Sequence, residues 1–132
     1  MTTEIDRQAL VAQATKAREH AYAPYSNYRV GASLLTTSGR VYTGCNVENA
    51  VYSETICAER TTVVKAVSEG ERDFAAIAVV TRDGGAPCGS CRQVLYEFAP
   101  ELIVLIADEM GAVRQTTAAQ LLPDAFGPQN LR

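Results

Sequence analysis

Apolar positions recur with a helical period over residues 3–21, at Ile5, Ala9, Leu10, Ala14 and Ala17, with Thr2 or Thr3 placed to cap the first turn. Pro24 disfavours helical backbone in the residue before it, so residues 21–27 are predicted as a loop. The period then changes to two. Tyr28, Val30, Ala32 and Leu34 mark a strand over 28–36, Ser38-Gly39-Arg40 a turn, and residues 41–47 a second strand, together a hairpin. Helical spacing returns over 57–69, through Ala58, Thr61, Thr62, Lys65, Ala66 and Val67, with Gly70 placed as its stop. Residues 74–81 are almost wholly apolar, the mark of a strand covered on both faces. After a turn at 83–87, residues 88–98 read as a helix closed by Pro100, 102–107 as another buried strand, and 112–116 as its neighbour. Thr117-Ala118-Ala119-Gln120 is a capping-box pattern ahead of a short helix ending at Pro123, and the tail to Arg132 is expected to be extended.

The order α-β-β-α-β-α-β-β-α predicts an α/β fold, a three-layer α-β-α sandwich on one mixed five-stranded sheet, as a single domain over residues 1–132. With 132 residues, 47% of them apolar, the chain can hold a core without disulfide staples. No apolar run approaches the ~18–20 residues needed to span a bilayer. Residues 1–20 mix Glu4, Asp6, Arg7, Lys16, Arg18 and Glu19, which suits neither a signal nor a transit peptide. A soluble, cytoplasmic protein with no membrane partner is expected. The net charge is −3 and the basic residues are scattered, so a polynucleotide, whose phosphates need a basic face, is not the expected partner. Small molecules remain. His20, the sole histidine, falls in the first helix as a surface residue.

Cys45, Cys57, Cys88 and Cys91 give the chain its candidate chemistry. Without a secretion signal, they read as thiols or metal ligands rather than disulfides. Cys57 opens one predicted helix, and Cys88-Gly89-Ser90-Cys91 opens another. Helix N-termini carry partial positive charge and favour thiolate. If the two helices are neighbours, three thiolates converge on a set that zinc accepts, with one tetrahedral position left for water. Three thiolates with a divalent ion leave one negative charge, which Arg60 or Arg92 is placed to offset. Glu59 lies two residues after Cys57, suited to act as a base beside the metal rather than as a ligand. Cys45 reads either as a fourth ligand of a closed structural site or as a small buried apolar residue. A redox role for Cys88 and Cys91 leaves Cys57 and Glu59 unexplained.

Cys57-Ala58-Glu59-Arg60, followed by Pro87-Cys88-Gly89-Ser90-Cys91-Arg92-Gln93, resembles the motif pair of the zinc-dependent cytidine deaminases, in which a non-ligand glutamate shuttles protons. Ala23-Pro24-Tyr25-Ser26, Val30-Gly31-Ala32, residues 44–50 and residues 121–126 extend the resemblance to the small free-nucleoside branch, over essentially the whole chain. It implies one zinc ion per subunit on Cys57, Cys88 and Cys91, with Glu59 as general acid and base. It implies Asn46 and Glu48 on the ribose 3′-hydroxyl and the Ala58 N–H on the pyrimidine carbonyl. Tyr28 falls where the family stacks a phenylalanine on the base, and its hydroxyl then needs a partner or water. Phe126 is implied to enter a neighbouring subunit's site, in a homotetramer with shared active sites. The loop 81–87 is short for the family. The implied reaction is hydrolytic deamination of cytidine and deoxycytidine in pyrimidine salvage. The alternatives are a modified cytosine nucleoside such as blasticidin S as substrate, or an inert zinc-stabilised binding module.

Overall fold

A computed structural model of the chain describes residues 4–132; Thr2 and Thr3, the predicted caps, lie outside them. Asp6 caps the first helix instead, its carboxylate accepting the Ala9 N–H at 3.1 Å. This helix, α1 (Arg7–Arg18), ends three residues short of the predicted 21. The Glu19, His20 and Ala21 N–H groups each reach back only three residues, tightening the chain out of the helix before Pro24.

Among the described residues, five strands form one mixed sheet: β1 (Gly31–Thr36), β2 (Val41–Cys45), β3 (Phe74–Thr81), β4 (Ile103–Asp108) and β5 (Val113–Thr117). Their order is β2-β1-β3-β4-β5, with only the β3–β4 pair parallel. The further α-helices among the described residues are α2 (Ala58–Ser68), α3 (Gly89–Phe98) and α4 (Ala118–Leu121). Alternate strand residues divide between two cores, as a period of two requires. Ile77, Val79, Val104 and Ile106 pack with Val63 and Ala66 of α2, Leu95 of α3 and Ala118 of α4. Ala76, Ala78, Val80, Leu105 and Ala107 pack with Leu10 and Ala14 of α1. The predicted three-layer sandwich is therefore formed, with α1 alone on one face. Each large apolar side chain fully buried in these cores contributes roughly 1.5–3 kcal/mol.

Two glycines let helices approach the sheet closely at one corner. A Cβ on Gly31 would lie 2.1 Å from the Ala14 carbonyl oxygen of α1, and one on Gly44 2.5 Å from Thr62 Oγ1 of α2. Gly70, at φ +99°, adopts the left-handed backbone that ends α2, as its position predicts.

Three departures have local causes. Residues 28–30 precede the ladder rather than joining it, because the Asn46 side chain stands in for a strand. Its Oδ1 accepts the Val30 N–H at 3.0 Å and its Nδ2 donates to the Tyr28 carbonyl at 2.8 Å. Thr117 does accept the Gln120 N–H, but the Gln120 side chain turns to Thr116 Oγ1, so only half of the capping box forms. The tail winds into a 3₁₀ turn at Pro128–Asn130, held by the Asn130 side chain accepting the Gly127 N–H at 2.9 Å.

Register brings the site together. Gly31 at the start of β1 faces Cys45 at the end of β2 and Val80 near the end of β3. The parallel β3–α3–β4 crossover starts its helix beyond the carboxyl end of β3, where open α/β sheets place ligands.

Candidate active site

Cys57 is the N-cap of α2, Cys88 is the N-cap of α3, and Cys91 lies in the first turn of α3. Their sulfurs all lie within 4.8 Å of one another; Cys88 Sγ is 3.9 Å from Cys57 Sγ and 3.3 Å from Cys91 Sγ. Tetrahedral zinc with Zn–S bonds near 2.3 Å holds its sulfurs about 3.8 Å apart, so this spacing fits one ion. Cys45 stands outside the group, on β2 opposite Gly31, and burial pushes its thiol up. A closed four-cysteine site is not formed.

The thiols are biased toward charge at Cys57. Its sulfur is held down at about 5, chiefly by the Cys91 thiol it accepts from, with Arg60 and Cys88 adding to the effect. Cys91, the donor in that pair and fully buried, is pushed up correspondingly. Arg60 Nη2 lies 3.9 Å from Cys57 Sγ and donates to the Thr55 carbonyl at 3.2 Å. Its Nε is buried without a partner. Arg92 does something else. It donates to the Pro87 and Leu121 carbonyls at 2.7 and 3.0 Å, tying the start of α3 to the end of α4. Of the two candidate arginines, only Arg60 faces a thiol.

Glu59 follows within the first turn of α2 and is only 4% exposed. Burial raises its carboxyl to about 7, and the neighbouring Cys57 charge adds to that. A carboxyl poised there can both accept and release a proton near neutral pH.

These groups open on a cavity of about 260 Å³, whose lining includes Cys57, Glu59, Cys88, Asn46, Glu48 and Tyr28. Glu48 is preset by its own loop: its carboxylate accepts the Tyr25 and Ser26 N–H groups at 2.9 and 3.1 Å and the Ser26 hydroxyl. The Ser26 hydroxyl is the main reason that its carboxyl is held low. Ala58 is fully buried at the first position of α2, where its N–H has no partner within the helix. Phe126 is not in this cavity. It is 59% exposed, and its carbonyl accepts from Gln93 Nε2. His20 is exposed in the turn after α1.

Ser26, Thr55, Thr81 and Gly85, to which the sequence alone gives no role, also line the cavity, and Asp83 lies beside it. The signal for Asp83 was present: a tyrosine hydroxyl at position 28 needs a partner, and the short loop after β3 supplies one. A larger cavity of about 490 Å³, between α1 and the β4–β5 edge, is lined by no thiol or carboxylate.

Residues 4–107 match the family described as the cytidine and deoxycytidylate deaminase zinc-binding region. The chain belongs to this deaminase family. It is 49% identical over 130 residues to the cytidine deaminase of Sporosarcina psychrophila, with 96% of each chain covered. The crystal structure of the cytidine deaminase from Burkholderia pseudomallei matches with a TM-score of 0.90 at 53% identity, covering 92% of this chain and 100% of that one. The cytidine deaminase from Mycobacterium tuberculosis matches with a TM-score of 0.83 at 43% identity, covering 94% and 99%. Among the described residues, no helix is long and apolar enough to cross a membrane.

Proposed function

We propose that this chain, acting as one domain, catalyses zinc-dependent hydrolytic deamination of cytidine and 2′-deoxycytidine, in pyrimidine salvage. Water and the nucleoside give the uridine product and ammonia. One observation carries the reading: a buried carboxyl poised near neutrality lines a small cavity with Cys57 and Cys88, two of three thiols that fit one zinc ion.

Cys57, Cys88 and Cys91 would hold the ion, and Arg60 would offset the surplus negative charge of three thiolates. Bound there, zinc supplies a Lewis acid that makes a water nucleophilic near neutral pH. Glu59 would take the proton that the attacking water loses as its oxygen bonds to the amine-bearing carbon, and pass it to the adjacent ring nitrogen. It would then take the proton of the hydroxyl so added and deliver it to the amine, which leaves as ammonia as the C–N bond breaks and the carbonyl forms. Its burial supports the role, because a desolvated carboxyl moves protons in both directions at working pH. The Ala58 N–H, free at the start of α2, is suited to the pyrimidine carbonyl. Glu48, charged and fixed by Ser26, accepts from the ribose 3′-hydroxyl, with the second hydrogen of Asn46 Nδ2 beside it. Tyr28 lies against the base.

The same proposal includes a homotetramer whose active sites are shared. Tyr22, Tyr25, Val51, Tyr52 and Ile56 leave apolar surface exposed, with Tyr25 and Tyr52 paired at 5.9 Å. Phe126 is exposed and does not line its own subunit's cavity, which leaves it available to a neighbour's site. Thiols kept reduced for a metal suit the cytoplasm.

The test is the ultraviolet absorbance of cytidine, then deoxycytidine, mixed with zinc-loaded protein. Loss of the cytosine band with formation of the uridine product is expected. A flat trace from folded, zinc-loaded protein would overturn the reading and direct the search to modified cytosine nucleosides.

A further inference from the structure

The hydroxyl of Tyr28 is spoken for. It donates to Asp83 Oδ1 at 2.6 Å, across the rim of the cavity that its ring lines. Asp83 lies in the short loop after β3, and that loop is organised around one buried side chain. Thr81, only 2% exposed, accepts the Gly84 and Gly85 N–H groups on Oγ1 at 2.8 and 2.9 Å and donates to Asp83 Oδ1 at 3.3 Å. Gly84 completes the turn with φ at +77°, a conformation that favours glycine. On the ring itself, the Arg82 guanidinium lies 5.3 Å from the centroid.

Gly85 makes room for that hydroxyl. A Cβ there would lie 2.4 Å from Tyr28 Oη, but 3.6 Å from the ring carbon that bears it. The backbone of Gly85 is not in the left-handed region, so the tyrosine oxygen is the one close obstacle to alanine. The hydroxyl at 28, the carboxylate at 83 and the missing side chain at 85 are therefore a matched set.

We propose that Tyr28, Asp83 and Gly85 form a latch that fixes the Tyr28 ring against the substrate's base, making Asp83 a positioning residue for substrate binding. The inference rests on the nucleoside reading above and deepens it. Asp83 is exposed, so its bond to Tyr28 adds little to the stability of the fold. Its effect lies in limiting the orientations of a ring that must already be in place when the substrate arrives, and ordering done beforehand lowers the cost of binding. The charges agree with donation from tyrosine to carboxylate: the bond holds the Asp83 carboxyl low, while burial and then Asp83 push the Tyr28 hydroxyl up.

Steady-state kinetics on cytidine, beside thermal melts, test the latch in Tyr28→Phe, Asp83→Ala, Gly85→Ala and the doubles Tyr28→Phe/Asp83→Ala and Tyr28→Phe/Gly85→Ala. Each of the first two should raise KM about three- to tenfold, the weight of one modest hydrogen bond, with kcat and Tm nearly unchanged. Their double should be no worse than Tyr28→Phe alone, since both remove the same contact. Gly85→Ala should raise KM and lower Tm with tyrosine at 28, and Tyr28→Phe/Gly85→Ala should return to the values of Tyr28→Phe. Unchanged KM in both single variants, additive losses in the first double, or equal damage from Gly85→Ala in the wild-type and Tyr28→Phe backgrounds would each overturn the latch. Wild-type protein that turns over no cytidine fails the nucleoside reading instead. The melts need no substrate, so Gly85→Ala against its double still decides the latch.

Discussion

Glu59→Gln keeps the shape of the side chain and removes its charge and its ability to carry a proton. Two consequences of opposite sign follow. Turnover should fall by about 10²–10⁴-fold, the usual weight of a positioned acid or base, and toward the upper end because Glu59 serves more than one transfer. Stability should rise. In zinc-free protein the folded state keeps this proton up to about 7, whereas the unfolded chain releases it near 4.5. Between those values the native state binds more protons than the unfolded one, so stability falls as pH rises through the window and levels off above it. At 1.36 kcal/mol per pKa unit the full penalty is roughly 3 kcal/mol. Glutamine escapes it. Urea denaturation of both zinc-free proteins should show curves that coincide near the lower end of the window and separate by up to roughly 3 kcal/mol at about pH 8. Zinc content, measured on the loaded proteins, should be equal. Parallel stability curves across the window would show that Glu59 is not desolvated, and wild-type turnover in the variant would remove its catalytic role.

Gly31→Ala places a methyl group 2.1 Å from a backbone oxygen of α1, with no flexible side chain to yield, and should cost about 2–3 kcal/mol in urea denaturation; an unchanged midpoint would refute the close approach. Arg60→Ala removes the cation beside Cys57 and should weaken zinc about 10- to 100-fold in competition with a chromophoric chelator, whereas Arg92→Ala should not; equal affinities in all three proteins would refute the assignment. The wild type should sediment as a tetramer, and Phe126→Ala should lower its turnover while leaving each subunit's Tm unchanged. A fully active monomer would exclude sharing of sites.

The sheet and its layers were legible because β3 and β4 are apolar on both faces and β1 and β2 are joined by a Gly-containing turn. Cys57 and Cys88 could be placed at helix starts because helical spacing begins immediately after each. What could not be read depends on side chains that replace backbone. Asn46 takes the place of a strand beside residues 28–30 with its amide, and Asn130 winds the tail, although the pattern alone puts the first in a strand and the second in an extended segment. Whether Arg60 or Arg92 faces the thiols depends on the rotation of two helices about their own axes, which spacing alone leaves open. Asp83 read as an ordinary turn residue. Its meaning lies with Tyr28, 55 residues earlier, and only the register that sets the start of β1 beside the end of β3 brings the two together.

Cys57 and Cys88 are 31 residues apart, and all of α2 and β3 lies between them. An ion shared by their sulfurs is a cross-link closing that loop, and a covalent closure of this size removes roughly 3–4 kcal/mol of disorder from the unfolded chain in the chain-entropy model. Unlike a disulfide, it can be undone without reduction and remade without oxidation. A chelator would therefore slacken the join between the α2 and α3 segments as well as stop the chemistry. The supply of zinc would set how long each molecule survives proteolysis as well as how fast it works.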